Sequence, residues 1–204
     1  MGRRSDHSPQ ELRALLVRHG HALMAERGFA RFSAREAARR AGYSVGTIYN
    51  VFGSLDAFLL AVNSHTFRLW SDWLEAALEG VPHTGTARIE ALVSGYFSFA
   101  ADNANAWMAI YDHRIDRKTP MAAEDVAARE ALTAIVDREV SAWMGTPDAD
   151  EGTRRLVRSL IATVHGHCAL WLSGSFALMN EPDPAGQALA RVLEVLAAQV
   201  RERD

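Results

Sequence analysis

The sequence predicts an all-α protein of about nine helices, and three observations favour this fold class. Apolar residues recur at helical spacing along nearly the whole chain of 204 residues. Ser residues followed three positions later by Glu mark helix starts, and clusters of Gly and Pro separate the periodic segments. No two neighbouring segments show the alternation of a strand pair. With 49% hydrophobic residues, the chain can bury a core in one or two globular domains.

The first predicted helix begins after Ser8 and ends at Gly28. Ser8 and Glu11 have the spacing of a capping box, and Pro9 suits the first helical position. The residues that we expect to face inward are Leu12, Leu15, Leu16, His19, Ala22 and Leu23.

Two short helices joined by a glycine turn follow. A second capping box is predicted at Ser33, and Gly42 ends that helix. Ser44 is predicted to cap the next helix, in which Ile48 and Phe52 face inward because they lie four residues apart. A helix, a tight turn and a second short helix are the layout of a helix-turn-helix that recognises DNA.

A long fourth helix is predicted from the Ser54 cap to Leu78, where a rise of 1.5 Å per residue gives a length of about 36 Å. Five further helices are expected near 86–101, 104–114, 120–144, 150–178 and 184–202. We therefore divide the chain into a head, residues 1–54, which holds the helix-turn-helix, and a larger helical body, residues 55–204.

The charge of the chain is divided unevenly along its length. The net charge is −3, but residues 1–55 carry nine arginines and four acidic residues, a net charge of +5, which leaves −8 for the rest. A basic head on an acidic body is typical of a DNA-binding module attached to another domain. The alternative is chance clustering of charge on a solvated surface.

Five short motifs follow one another within residues 8–62: Gly28-Phe29, Ala41-Gly42-Tyr43-Ser44, Gly46-Thr47-Ile48-Tyr49, Phe52 and Ser54. In these motifs and their spacing, residues 8–62 resemble the N-terminal domain of the Tet repressor (TetR) family. The body is similar in helix count to the family's regulatory domain, and His165-Gly166 resembles the pair carried by WHG-type C-terminal domains. The resemblance implies a homodimeric, ligand-responsive transcriptional regulator, usually a repressor, whose residues 55–204 bind ligand and dimerise.

The outward positions of the second short helix are expected to contact double-stranded operator DNA. Val45 and the Thr47 methyl suit thymine methyl groups, and Asn50 suits the donor and acceptor of adenine. Gly46 lets the backbone approach closely, and the resemblance implies that the Tyr49 hydroxyl binds phosphate. The full predicted set is Ser33, Arg35, Ser44, Val45, Gly46, Thr47, Tyr49 and Asn50.

Two positions depart from the pattern of the family. Val51 stands where the family often has an aromatic residue or histidine, and Leu55 stands where it often has lysine. Both family residues commonly touch phosphate, and neither Val nor Leu can do so. This favours weaker DNA binding or a different docking angle, with compensating phosphate contacts from Arg3, Arg4, Arg31 and Arg35.

The body is rich in large aromatic residues that we expect to line one cavity for a small apolar or aromatic effector. The predicted lining is Phe67, Trp70, Tyr96, Phe99, Trp107, Met108, Tyr111 and His165. The alternative is that most of these aromatic residues belong to an ordinary core. Asp112, His113 and Arg114 are expected either to add polarity to the cavity or to couple the body to the head.

The last two long helices carry wide apolar stripes that suit a two-fold, four-helix dimer interface. The predicted interface residues are Leu160, Val164, His167, Trp171, Leu189, Val192, Leu193 and Leu196. The alternative is that these helices bury their stripes only against their own chain. A homodimer is also expected because one short recognition helix contacts too few bases for specific binding.

The sequence carries no signal for catalysis. The GxSxG, phosphate-loop and dinucleotide glycine patterns are absent, so we expect no enzyme activity and no cofactor. His165, His167 and Cys168 do not share one helix face, so we expect no metal site. No apolar core of a signal peptide and no apolar stretch of about 18 residues is present, so a cytoplasmic protein without membrane contact is expected.

Three functional hypotheses remain open. The leading one is a repressor that a small apolar or aromatic ligand releases from its operator. The second is an activator, or a ligand-insensitive regulator, of the same fold. The third is a helical interaction protein with weakened DNA binding, which Val51 and Leu55 motivate. The basic head favours the first two.

Overall fold

The computed structural model describes residues 7–83, 85–115, 120–146 and 150–201, and within these ranges the chain forms ten α-helices and no strand. The helices are α1 Pro9–Arg27, α2 Ala34–Arg40, α3 Val45–Phe52, α4 Leu55–Leu78, α5 Thr86–Asp102, α6 Ala104–Asp112, α7 Ala123–Trp143, α8 Glu151–Leu172, α9 Ser175–Leu178 and α10 Pro184–Arg201. A 3-10 turn, Phe29–Arg31, joins α1 to α2. The predicted all-α class is confirmed.

The predicted helix over 150–178 is wrong in one respect, because the structure breaks it after Leu172. Gly174 adopts φ 78° in the left-handed region, which a residue without Cβ enters at little cost. The chain then makes the four-residue helix α9. The apolar period continues through the break, so the period alone did not reveal it.

The described residues group by packing into two units. The first unit contains α1, α2, α3, the start of α4 up to residue 69, α6, and the start of α7 up to residue 129. The second contains the end of α4, α5, the rest of α7, and α8 to α10. The predicted functional division into a DNA-binding domain, residues 1–54, and a ligand-binding and dimerisation domain, residues 55–204, stays a prediction.

The first unit has a core in which α1 and α4 approach closely. A Cβ atom at Gly20 would lie 2.7 Å from Val62 Cγ2 and 2.8 Å from Phe58 Cζ, so only glycine fits between the two helices. The fully buried large residues of this core are Leu16, Leu23, Met24, Ile48, Phe58 and Val62. Ile48 of α3 belongs to this core, so the core holds the short helix in place.

Helix α6 is held within the first unit by contacts near both of its ends. Asn105 Nδ2 donates to the Ala25 carbonyl (2.9 Å). Beyond the other end, His113 Nε2 donates to Asp56 Oδ1 (3.2 Å), and the His113 ring lies 5.8 Å from the Phe29 ring. Asp56 lies in the first turn of α4. Helix α6 therefore contacts α1, the 3-10 turn and the start of α4.

The second unit combines an aromatic cluster with a buried ion pair. The Trp70 and Phe99 rings stack with centroids 5.2 Å apart. Arg88 Nη2 donates to Glu139 Oε1 (2.8 Å), both residues are buried, and Arg138 links Glu139 to Glu75. Helices α8 and α10 pack against each other and against α5. Across the described residues, no single helix is long and apolar enough to span a membrane.

Candidate nucleic-acid interface

Helices α2 and α3 form a helix-turn-helix with the expected turn. Ser33 lies at the N-cap of α2, and its Oγ accepts from the Glu36 amide (3.3 Å). The chain leaves α2 through Gly42, whose φ of 83° is in the left-handed region, and the Tyr43 amide donates to the Ala38 carbonyl (2.9 Å). The turn therefore fixes the direction in which α3 begins.

The predicted DNA-contacting residues of α3 lie on its accessible side. Gly46, Tyr49 and Asn50 are exposed, with 48% of the Tyr49 surface accessible, while Val45 and Thr47 are half-buried. Of the eight residues of α3, only Ile48 is fully buried. The structure thus brings these five residues together on one short helix that is held from the opposite side.

Ser44 precedes α3 but does not cap it with its side chain, which corrects the sequence expectation. Its Oγ lies 3.5 Å from Thr47 Oγ1, and the Thr47 amide is bonded instead to the Ser44 carbonyl (3.0 Å). The Ser44 hydroxyl is exposed and makes no bond to the amides of α3. It can therefore offer a hydrogen bond to an external phosphate oxygen.

The space around Gly46 shows that the fold does not require glycine at this position. A Cβ atom there would meet only Ser44 Oγ, at 3.6 Å, which is ordinary contact. Glycine inside a helix destabilises it relative to alanine. A glycine with no folding role on an exposed recognition helix is consistent with close approach of the backbone to another surface.

The arginines near α2 differ in how strongly acidic residues hold them. Arg39 donates to Glu36 (2.8 Å), and Arg40 donates to Glu36 (3.0 Å) and Glu26 (2.6 Å). The hydrogen bonds from Arg39 and then from Arg40 lower the pKa of Glu36 to about 2. Of the capping box predicted at Ser33, the structure shows one half, the hydrogen bond from the Glu36 amide to Ser33 Oγ.

Arg35 is the arginine best placed for an outside partner. It is exposed and has no hydrogen bond or ion pair within the described ranges. Arg31 uses its Nε to donate to the Arg27 carbonyl (3.3 Å). Arg3 and Arg4, from which we also expected phosphate contacts, lie outside the described residues.

The two positions that depart from the family pattern occupy different environments. Val51 is half-buried and packs against the core of the first unit, whereas Leu55 is 38% exposed at the start of α4. Neither side chain offers a polar atom. The expectation of weaker phosphate binding at this edge of α3 stays a prediction.

The eight predicted ligand-binding residues fall into two groups, one in each unit. The second unit contains Trp70, Tyr96, Phe99 and His165, with the Tyr96 hydroxyl hydrogen-bonded to His165 Nδ1 (3.1 Å). The first unit contains Phe67, Trp107, Met108 and Tyr111. The prediction that all eight line one cavity stays a prediction.

One of the cavities in the second unit is small and apolar, with a volume of about 50 Å³. Of the eight predicted residues, Tyr96 lines it. The other lining residues are aliphatic and were not predicted to bind ligand, although Leu160, Val164 and Val192 were predicted for the dimer interface: Leu74, Ile89, Leu92, Val93, Val136, Val140, Leu160, Ile161, Val164 and Val192. Apolar residues at helical spacing occur in any helix that packs on a core. The pattern therefore does not distinguish residues that line a cavity from residues that only pack together. Small-molecule pockets usually measure about 300–1,000 Å³, so an effector would have to open this cavity.

The predicted dimer residues divide by burial. Leu160, Val164, Val192 and Leu196 are already buried within their own chain, so they offer little surface to a partner. Leu189, Leu193 and His167 are half-buried, and Trp171 is 39% exposed. Apolar residues that the sequence analysis missed are more exposed, namely Leu170, Leu178, Met179 and Val195. Leu178 and Met179 follow the break at Gly174. A sequence analysis that predicted a helix end at Gly174 would have identified both residues as exposed.

Two family profiles match the chain. The profile described as "Bacterial regulatory proteins, tetR family" matches residues 16–62, which contain the helix-turn-helix. The profile described as "Tetracyclin repressor-like, C-terminal domain" matches residues 89–201, more than half of the chain. Among curated proteins, no match was found.

Solved structures share the fold at low sequence identity. A Rhodococcus sp. RHA1 protein of unknown function is 23% identical, with a TM-score of 0.68 over 96% of this chain and 97% of its own. A tetR-family transcriptional regulator from Streptomyces coelicolor is 19% identical, with a TM-score of 0.66 over 100% and 85%. Thermus thermophilus FadR, a TetR family transcriptional repressor solved with lauroyl-CoA, is 20% identical, with a TM-score of 0.63 over 91% and 93%.

Proposed function

Because the chain belongs to the TetR family of transcriptional regulators, we propose that it is a homodimeric repressor released from its operator by a small apolar ligand. The DNA-binding part of this proposal rests on one observation: α3 has a buried side and an exposed side. Ile48 lies on the buried side, and Tyr49 and Asn50 lie on the exposed side. The alternatives, an activator or a ligand-insensitive regulator, share the same interface.

Contacts to DNA are assigned by the chemistry of each exposed group. Asn50 pairs its amide with an adenine edge, and Val45 and Thr47 contact thymine methyl groups in the major groove. The Tyr49 and Ser44 hydroxyls donate to phosphate oxygens, and Arg35 neutralises a phosphate. Ser33 offers a further hydroxyl at the start of α2. These contacts place α3 in the major groove, as the second helix of a helix-turn-helix is placed.

A second copy of the chain supplies the other recognition helix. The exposed apolar residues Leu170, Trp171, Leu178, Met179 and Val195 lie on α8, on α10 and around α9, and a partner would cover them. A two-fold dimer uses the same surface of both copies, and its two α3 helices then contact half-sites about 34 Å apart.

The effector is a small, mainly apolar molecule that occupies the second unit. The cavity there is lined by aliphatic side chains and by Tyr96, whose hydroxyl is bonded to His165. Tyr96 is the one lining residue whose side chain carries a polar group, and mainly apolar walls are typical of small-molecule sites. The FadR structure contains lauroyl-CoA, so this fold accommodates an acyl ligand in that protein. Opening of the cavity of about 50 Å³ is the conformational change that ligand binding drives.

Helix α4 carries the change from ligand to DNA. It runs from Leu55, directly after α3, to Leu78, and it contributes residues to both units. Its first turn is also held by the contact of Asp56 with His113. A shift of α4 alters the separation of the two recognition helices, and a change of a few ångströms lowers specific affinity.

The experiment combines a thermal-shift screen of apolar and aromatic compounds with DNA-binding measurements. A compound that raises the melting temperature is added to the protein bound to duplex DNA from upstream of its own gene, and fluorescence anisotropy gives the dissociation constant. We expect the operator affinity to fall by about 5–150-fold at saturating compound. A tightly bound compound that leaves operator affinity unchanged would contradict the proposed coupling, and no operator shift at low salt would contradict the DNA-binding proposal itself.

A further inference from the structure

One arginine of α1 lies between the recognition helix and the first turn of α7. The Arg13 guanidinium is 4.6 Å from the centre of the Phe52 ring, and it is ion-paired to Glu124 (2.6 Å). Its Nη2 also lies 3.6 Å from Asp125 Oδ2. All four residues belong to the first unit, and the Arg13 side chain is only 25% exposed.

On the recognition-helix side, Phe52 is the last residue of α3. Its ring lies 4.9 Å from the Phe58 ring of α4, while the Arg13 guanidinium lies over it. A cation over an aromatic face is attracted by the negative charge of that face, and planar guanidinium suits this geometry better than ammonium does. Arg13 and Phe58 together restrict where the end of α3 can lie.

On the α7 side, the first turn is held within the first unit by several contacts. Asp125 is buried, and burial raises the pKa of its carboxyl group. Arg68 of α4 donates to the Glu124 carbonyl (3.4 Å), and Glu124 binds Arg13. Helix α7 continues to Trp143 and contributes its later residues to the second unit. A displacement of α7 would therefore change the position of the Arg13 guanidinium.

We propose that Arg13 is a positioning residue for DNA recognition, which transmits the position of the first turn of α7 to the end of α3 through Phe52. This proposal rests on the proposed function, because it assumes that α3 is the helix that contacts DNA. It adds a second connection to α3, through α7, beside the covalent one through α4.

A direct contact of Arg13 with phosphate is the competing explanation, and the two explanations predict opposite effects at Glu124. If Arg13 served DNA only by its charge, Glu124→Gln would remove a negative charge near DNA and strengthen binding. If Arg13 positions α3, Glu124→Gln weakens the hold on the guanidinium, and specific binding weakens. Neither Arg13 nor Glu124 belongs to the set of residues that we assign to DNA contact.

The experiment measures full-length wild type, Arg13→Ala, Arg13→Lys, Glu124→Gln and the double variant Arg13→Ala/Glu124→Gln. Dissociation constants are measured for the duplex that wild type selects from a random pool and for a scrambled duplex, across a series of salt concentrations. Arg18→Ala on the exposed side of α1 and Glu130→Gln on the exposed side of α7 are charge-matched controls. Hydrogen exchange of the α3 amides in the absence of DNA gives a readout that does not depend on binding.

We expect Glu124→Gln and Arg13→Ala each to weaken binding to the selected duplex by about three- to thirtyfold, with the scrambled duplex affected little. The double variant should be no weaker than the worse single variant, because both break one connection. Arg13→Lys keeps the charge but loses the stacking of the planar guanidinium on the Phe52 ring. Its affinity should therefore lie between those of Arg13→Ala and wild type. The α3 amides should exchange faster in Glu124→Gln, and neither control should change them.

Stronger or unchanged specific binding by Glu124→Gln would overturn the proposal. So would additive effects, or an Arg13→Ala variant whose log–log salt slope falls by about 0.9, as loss of one phosphate contact requires. If wild type selects no duplex, the proposed function fails. The exchange of the α3 amides then still decides the positioning role, because unchanged exchange in Glu124→Gln would refute it.

Discussion

At the scale of single residues, folding and recognition use different side chains of the same short helix. Ile48 is fully buried and Phe52 packs on the core, whereas Gly46, Tyr49 and Asn50 have no role in the core. The sequence predicted this division well because a four-residue spacing of apolar positions identifies the inner side of a helix. It did not predict that Glu36 would pair with Arg39 and Arg40, because long charged side chains have several partners within reach.

Replacing Gly46 by alanine should separate stability from DNA binding. The added methyl meets only Ser44 Oγ at 3.6 Å, and alanine favours helix over glycine by about 0.5–1 kcal/mol, so thermal unfolding should shift upward. Specific DNA affinity should fall, because the methyl keeps the backbone away from DNA. Calorimetry and anisotropy on the same sample check both effects. A variant with full affinity would mean that the backbone does not approach DNA at this position.

Arg35→Ala and Arg39→Ala should differ in the salt dependence of DNA binding. Arg35 is exposed and has no partner in the described ranges, whereas Arg39 is held by Glu36. Loss of Arg35 should therefore lower the log–log salt slope by about 0.9, the value for one phosphate contact. Arg39→Ala should lower it less. Equal salt slopes for wild type and Arg35→Ala would show that Arg35 does not contact a phosphate.

His21 should make the free energy of unfolding depend on pH. Burial, and then the charge of His65, lowers the pKa of His21 from 6.5 to about 4. The unfolded chain therefore binds a proton below about pH 6.5 that the folded chain takes up only near pH 4, so stability falls by up to about 3 kcal/mol as pH falls through this range. Urea unfolding should show a smaller fall for His21→Leu, with exposed His83→Leu as the control. Equal pH dependence in wild type and His21→Leu would contradict this.

At the scale of helices, the sequence predicted most elements. It did not predict which apolar residues of α8 and α10 are buried within the chain and which stay exposed. Caps and glycines located α1 to α4 closely, because those signals are local. The apolar stripes of α8 and α10 could not reveal that Leu160 and Leu196 face their own chain while Trp171 and Val195 stay exposed, since the period is the same in both cases. Leu178 and Met179 follow the break at Gly174, and the glycine itself was the signal that the sequence offered for it.

Introducing charge at Leu178 or Met179 should weaken the dimer without unfolding the chain. These residues are 87% and 64% exposed, so aspartate at either position leaves the core of the chain intact. Sedimentation velocity should show a shift towards monomer, with the circular dichroism spectrum unchanged. Leu196→Asp is the contrasting variant. Leu196 is fully buried, so a charged side chain at this position should unfold the chain. An unchanged dimer in both exposed variants would place the interface elsewhere.

At the scale of the whole molecule, a basic head with the helix-turn-helix is joined to an acidic body, in which we propose that a ligand and a second copy bind. The family assignment rests on two profiles that match the head and most of the body. Helices α4 and α7 each contribute residues to both units, and they are the two helices through which we propose that a bound ligand acts on α3. Coupling of this kind is reciprocal, so operator DNA should weaken ligand binding by the same factor.

The most direct test of the central claim is selection of binding sites from random duplex DNA by the full-length protein, followed by footprinting of the selected site. We expect a two-fold symmetric sequence, bound by one dimer, with half-sites about one helical turn or a multiple of it apart. The affinity should exceed that for scrambled DNA by about a thousandfold or more. A folded dimer that selects no sequence at low salt would contradict the claim that α3 recognises DNA.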